Sequence, residues 1–139
     1  MKNATHITIG APETWGALHI IHPKLGRVPG KQFLQEPLGA TGMEISVNAF
    51  PAGRVFPLRH HHVKNEEVFL FLSGAGEFEV DGDVFAIGPG SVVRVAPEGV
   101  RGFRNTGDTT LTYVCIQARA DSGVGPGTVD AQGDGPPLW

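Results

Sequence analysis

Glycine and proline interrupt this sequence so often that long regular elements are excluded. They fill 20 and 11 of its 139 positions. What lies between them is short and β-prone: "EISVNAF" (44–50), "EVFLFL" (67–72), "GEFEV" (76–80), "DVFAI" (83–87), "SVVRV" (91–95) and "LTYVCIQA" (111–118). Valine, isoleucine, phenylalanine and threonine suit a pleated, half-buried surface. No stretch of helical length carries a 3.6-residue apolar period. Many short strands at regular spacing, joined by Gly/Pro turns, predict an all-β sandwich or small barrel.

Local signals refine this reading. "GEFEV" alternates Glu77 and Glu79, predicted outward, with Phe78 and Val80, predicted inward. Asp81-Gly82 separates it from "DVFAI", and this dipeptide favours a two-residue hairpin because both positions tolerate positive φ. "NTGDTT" (105–110) reads as another turn. "KQFLQE" (31–36) reads as a single helical turn stopped by Pro37. "VFLFL" is apolar at every position, which predicts a strand buried on both faces, against a second sheet, a chain segment or another subunit. "ALHII" (17–21) predicts a strand that covers a sheet edge or pairs with a partner subunit. Residues 121–139 are rich in Gly, Pro and Asp and read as an irregular tail, with Leu138 and Trp139 apolar enough to dock. The expected organisation is an N-terminal arm over 1–39, a barrel over 40–119 and a tail over 120–139.

Charge and cysteine content exclude several function classes. The net charge is −3 and no Lys/Arg stripe is present, so nucleic-acid binding is not expected. Cys115 is the sole cysteine, which rules out an intrachain disulfide and a cysteine-rich zinc site. No apolar stretch approaches the roughly 20 residues that span a bilayer. "MKNATHITIG" lacks the apolar run of a secretory signal, so the expectation is a cytoplasmic protein without membrane partners.

The stretch that carries chemistry is "RHHHVKNEE" (59–67). Side chains at i and i+2 of an extended chain face the same way. His60 and His62 therefore share a face, while Arg59 and His61 point away. Glu67 opens the next strand and can present a carboxylate to the same point. Two imidazoles and a carboxylate suit Fe(II), Mn(II), Zn(II) or Ni(II). A solvated histidine-rich loop is the competing reading of this nonapeptide taken alone. A shift of one residue would substitute Glu66 for Glu67.

The surrounding sequence resembles the cupin superfamily. In "PAGRVFPLRHHHVKNEEVFLFLSG", Gly53 opens the first motif, His60-x-His62 follows a six-residue spacer, and Glu67 and Gly74 complete it. The spacer is one residue longer than is usual in that family. "GPGSVVRVAPEGVRGFRN" resembles the second motif through Gly90, Pro97, Gly99 and Asn105. The resemblance spans about residues 40–118 and implies a double-stranded β-helix, or jelly-roll, barrel. It also implies a third histidine in the second motif, where this chain carries Arg101. A guanidinium has no lone pair to donate and stays protonated, so it cannot ligate a metal.

Three arrangements follow. In the first, His60, His62 and Glu67 hold a divalent metal, and Arg101 binds the acidic group of a substrate. In the second, no metal binds, Arg101 pairs with Glu67, and the cavity takes a small anion or sugar acid. In the third, Arg101 points outward and His19, His22, Cys115 or Gln117 completes the site. Each residue also has a plainer reading. Cys115 suits a buried inert thiol, Arg94 a solvent-facing position, and Asn105 a loop-forming role. The cupin resemblance implies a stand-alone, dimeric protein that acts on a small anionic ligand as a metal-dependent isomerase, oxygenase or lyase. A non-catalytic binding module and a structural protein are the alternatives.

Overall fold

The computed structural model describes residues 2–137. The strands, in chain order, are β1 (His19–His22), β2 (Gly26–Pro29), β3 (Lys31–Phe33), β4 (Glu44–Phe50), β5 (Asn65–Ser73), β6 (Gly76–Val80), β7 (Asp83–Ile87), β8 (Val92–Val95), β9 (Arg101–Asn105) and β10 (Leu111–Arg119). A five-stranded sheet runs β3-β4-β10-β5-β8 and a three-stranded sheet runs β7-β6-β9. Every pairing is antiparallel. Residues 55–60 extend the smaller sheet through bridges from Val55 to Arg104 and from His60 to Arg101. The β6–β7 hairpin turns on Asp81 and Gly82, with φ of 54° and 99°, the left-handed pair that the sequence predicts.

The core lies between the two sheets. Phe69, Phe71, Val95, Tyr113 and Cys115 of the larger sheet meet Phe78 and Ile87 of the smaller. The Phe69 and Phe78 rings meet edge to face, 5.0 Å apart, the geometry in which a ring's positive edge faces a negative π-face.

A second apolar cluster covers the outside of the larger sheet. In β4, Val47 and Ala49 face outward under Trp15 and Leu34, while Ser46 and Asn48 face the interior. The 3₁₀ turn Pro12–Ala17 carries Trp15, whose indole N–H donates to Gly10 O. Ile7, Ile9 and Leu18 pack into the same cluster, so the segment before β1 lies on the sheet.

The structure corrects one local expectation. Lys31–Phe33 is a strand, and the helical turn follows as α1 (Gln35–Leu38). Pro37 lies inside that turn, where a first-turn N–H has no helical partner to lose, and Gly39 ends it at φ 66°. β5 is buried on one face only within the chain: Leu70 and Leu72 are 37% and 39% exposed. The arm's cluster includes Val114 of β10 but no residue of β5. β1 pairs with β2 of its own chain as a hairpin.

Residues 121–137 contain no strand or helix and are exposed. The expected docking of Leu138 and Trp139 lies outside the described residues. No helix among the described residues is long and apolar enough to cross a membrane.

Candidate metal centre

Two backbone anchors set the histidines. His60 exchanges both N–H···O bonds with Arg101 of β9, and His62 N–H donates to Pro97 O. The extended chain between them then alternates: Arg59 and His61 are exposed, and His60 and His62 are partly buried. Across the cavity, β5 directs Glu67 inward, 5% exposed. Glu66 points outward into an ion pair with Arg94. The choice between the two glutamates follows from strand alternation.

His62 Nε2 lies 3.1 Å from Glu67 Oε1, and His60 Nε2 lies 3.8 Å from Oε2. One donor atom from each of the three residues lies within 4.8 Å of the others. Bonds of about 2.1 Å to one ion would bring neighbouring donors to roughly 3 Å, so only a small contraction is needed. His62 Nε2 is buried and has no hydrogen-bond partner among the described residues. A buried imidazole nitrogen without a partner is costly, and a cation between it and Glu67 removes that cost. The donor set therefore fits a divalent metal. Burial pushes the His60 pKa below its ordinary value, with the Arg101 and His62 charges adding to the shift and Glu67 opposing it. The neutral imidazole, the form that ligates a metal, is favoured.

Arg101 lies behind Glu67. It is 1% exposed, and its Nε donates to Glu67 Oε2 at 2.9 Å. Its Nη1 donates to Gly99 O at 2.7 Å, and its Nη2 has no partner. The Cys115 thiol donates to Glu67 Oε1 at 3.5 Å. Burial and the adjacent Glu67 charge push the Cys115 pKa up, which suits a thiol rather than a thiolate.

A cavity of about 380 Å³ opens onto His60, His62 and Glu67, with Cys115 and Gln117 on its wall. Ile20, His22 and Val28 of the β1–β2 hairpin line it from above. His22 Nδ1 is occupied by the Lys24 and Leu25 N–H groups. His19 is exposed and does not line the cavity. Gln117 sits opposite Glu67 in the β5–β10 register and accepts from Asn65.

Sequence reasoning missed Lys31, Ser46, Asn48 and Tyr113. Lys31 Nζ donates to Asn48 Oδ1 at 2.8 Å and to Ser46 Oγ at 3.1 Å. The signal present was the strict alternation of Glu44, Ser46 and Asn48 with Ile45, Val47 and Ala49. It shows two faces without showing which one is interior.

The fold agrees with that of known proteins. A cupin protein from Bacteroides fragilis is 29% identical, with 96% of this chain and 98% of that one covered at a TM-score of 0.78. A Cupin 2 conserved barrel domain protein from Salinispora arenicola is 21% identical over 85% of this chain and 92% of that one, at a TM-score of 0.64. A structure described as a putative sugar phosphate isomerase, from Acidithiobacillus ferrooxidans, is 25% identical over 76% of this chain and 62% of that one, at a TM-score of 0.59. No curated protein matches. The family model of the cupin domain matches residues 47–117, the segment that builds β5 to β9, most of β4 and β10, and all three candidate ligands; the chain belongs to the cupin family.

Proposed function

We propose that this chain binds one divalent metal ion through His60, His62 and Glu67 and acts on a small carboxylate- or sugar-acid-like compound. The observation that carries the reading is the partnerless His62 Nε2, 3.1 Å from Glu67 Oε1. Iron, manganese, zinc or nickel suits two imidazoles and a carboxylate. Once bound, the ion supplies Lewis-acid polarisation of a carbonyl or enediolate oxygen.

The chain's own residues then have separate tasks. Arg101 holds Glu67 Oε2 and leaves Oε1 facing His62, so it acts as a positioning residue. Arg101 is buried and is not among the residues that line the cavity, so the reading gives it no direct contact with the substrate. Phe56, Leu58, Phe69 and Phe103 form apolar wall that excludes water from the ligand. The similarity to a putative sugar phosphate isomerase supports an isomerase-type reaction over an oxygenase. The exposed Leu70, Leu72 and Val92 on β5 and β8 support association of two copies.

One observation favours a metal-free alternative: Arg101 already neutralises Glu67. In that reading the cavity binds an anion and catalyses nothing. Elemental analysis of protein purified without a polyhistidine tag separates the two. The expected result is one metal per chain, lost in both His60→Ala and His62→Ala. Folded wild-type protein that takes up no metal from a panel of divalent ions would reject the metal reading.

A further inference from the structure

Lys31 opens β3 and lines two adjoining cavities. One is the cavity of the candidate metal centre; the other, about 410 Å³, lies beside it. They also share Leu25, Val28, Phe56 and Tyr113. The second cavity is lined by Arg27, Lys31 and Arg54 and by no acidic residue among the described ones. Four other arginines of the barrel are neutralised: Arg59 by Glu79, Arg94 by Glu66, Arg104 by Glu77 and Arg101 by Glu67. Arg27, Lys31 and Arg54 form no ion pair among the described residues.

The Lys31 ammonium donates to two neutral acceptors, Ser46 and Asn48, and lies 4.9 Å from the centre of the Phe33 ring. An ammonium has three N–H donors, so one remains. Taking a charge out of water without a counter-ion is unfavourable. Burial accordingly draws the Lys31 pKa below its ordinary value, against the Glu67 and Glu44 carboxylates. Three cationic side chains around a cavity with no acidic lining favour an anion there.

The register gives the reach. Ser46, a partner of Lys31, pairs with Cys115, and Cys115 pairs with Phe69. Phe69 is one same-face step along β5 from Glu67. Two strand spacings and one such step put the Ser46 and Glu67 backbones about 12 Å apart, a gap that inward-reaching side chains and a small linear sugar derivative can share.

We propose that Lys31, flanked by Arg27 and Arg54, forms an oxyanion site for the carboxylate or phosphate end of a ligand whose other end meets His60, His62 and Glu67. The site rests on the reading of the cavity as a ligand pocket, but it does not require the metal. It assigns recognition of the charged end to Lys31, a residue outside both sequence motifs.

Calorimetric titration of chelator-treated and Mn(II)-loaded protein tests it with three polyols of matched length: gluconate, sorbitol 6-phosphate and sorbitol. At least one anion is expected to bind ten-fold or more tightly than sorbitol, and the preferred anion identifies carboxylate or phosphate as the natural group. Lys31→Met should weaken that anion at least ten-fold and leave Mn(II) stoichiometry unchanged, while Lys31→Arg should retain most of the affinity. Anion binding without metal binding supports the oxyanion site and rejects the metal reading. Metal binding with anion affinity unchanged in Lys31→Met does the reverse. If Lys31→Met does not fold, the double variant Arg27→Gln/Arg54→Gln, at two exposed positions, is expected to weaken the anion several-fold, and unchanged affinity overturns the proposal. Equal binding of sorbitol, or no binding of either anion, also overturns it.

Discussion

Arg101 donates from Nε to Glu67 Oε2 at 2.9 Å, and the two side chains are 1% and 6% exposed. Arg101 thus neutralises the carboxylate that the two histidines face. The pair ties β9 of one sheet to β5 of the other at the mouth of the core.

Breaking that pair should be expensive. Arg101→Met leaves a buried carboxylate without its counter-charge, a change that typically costs about 3–5 kcal/mol. Urea unfolding should show a loss of this size, and the double variant Arg101→Met/Glu67→Leu should recover most of it because no orphan charge remains. A single variant as stable as the wild type would show that the pair contributes nothing to the fold.

Metal affinity should follow the titration of His60. Its pKa is lowered by burial, and Glu67 only partly offsets the shift. Protons therefore compete with the metal only below the ordinary histidine value of about 6.5. Affinity should be flat between about pH 7 and 8 and fall as the pH drops below that value. The same depression means that the unfolded chain takes up this proton first. His60's contribution to stability is thus full above about 6.5 and declines as pH falls towards the lowered folded value. Metal titrations across pH check the first statement and urea midpoints of the apo-protein check the second. A fall in affinity starting well above pH 7 contradicts both.

Gly74 follows β5 at φ 87°, and a Cβ there would lie 2.6 Å from Thr110 O. Both the left-handed backbone and the close approach oppose any side chain. Gly74→Ala should lower stability by about 2 kcal/mol or more, measured by chemical denaturation. A neutral result would mean that the β5–β6 turn relaxes freely.

Trp15 anchors the segment before β1 on Val47 and Ala49, on the opposite face of the sheet from Ser46 and Asn48. Trp15→Ala should cost about 3 kcal/mol and make residues preceding β1 sensitive to limited proteolysis. Metal and anion binding should persist wherever the variant is folded. Loss of binding in a folded variant would couple the arm to the cavity, contrary to this separation.

Much of the fold was legible in the sequence. Strand length and number follow from short β-branched and aromatic runs between turn residues, and the β6–β7 hairpin follows from Asp81-Gly82, because those properties act over a few residues. The shared face of the two histidines was legible for the same reason: alternation places 60 and 62 together, while the choice of Glu67 over Glu66 came from the structure. What only the tertiary structure decided is which face is interior. In "EISVNAF" the apolar residues go outward under the arm, and Ser46 and Asn48 go inward to Lys31, the reverse of the usual rule. Alternation is a local property of the strand. The assignment of inside and outside depends on which distant segments cover each face, here Trp15 and Leu34 on one side and the Lys31-lined cavity on the other, and no local pattern contains that information.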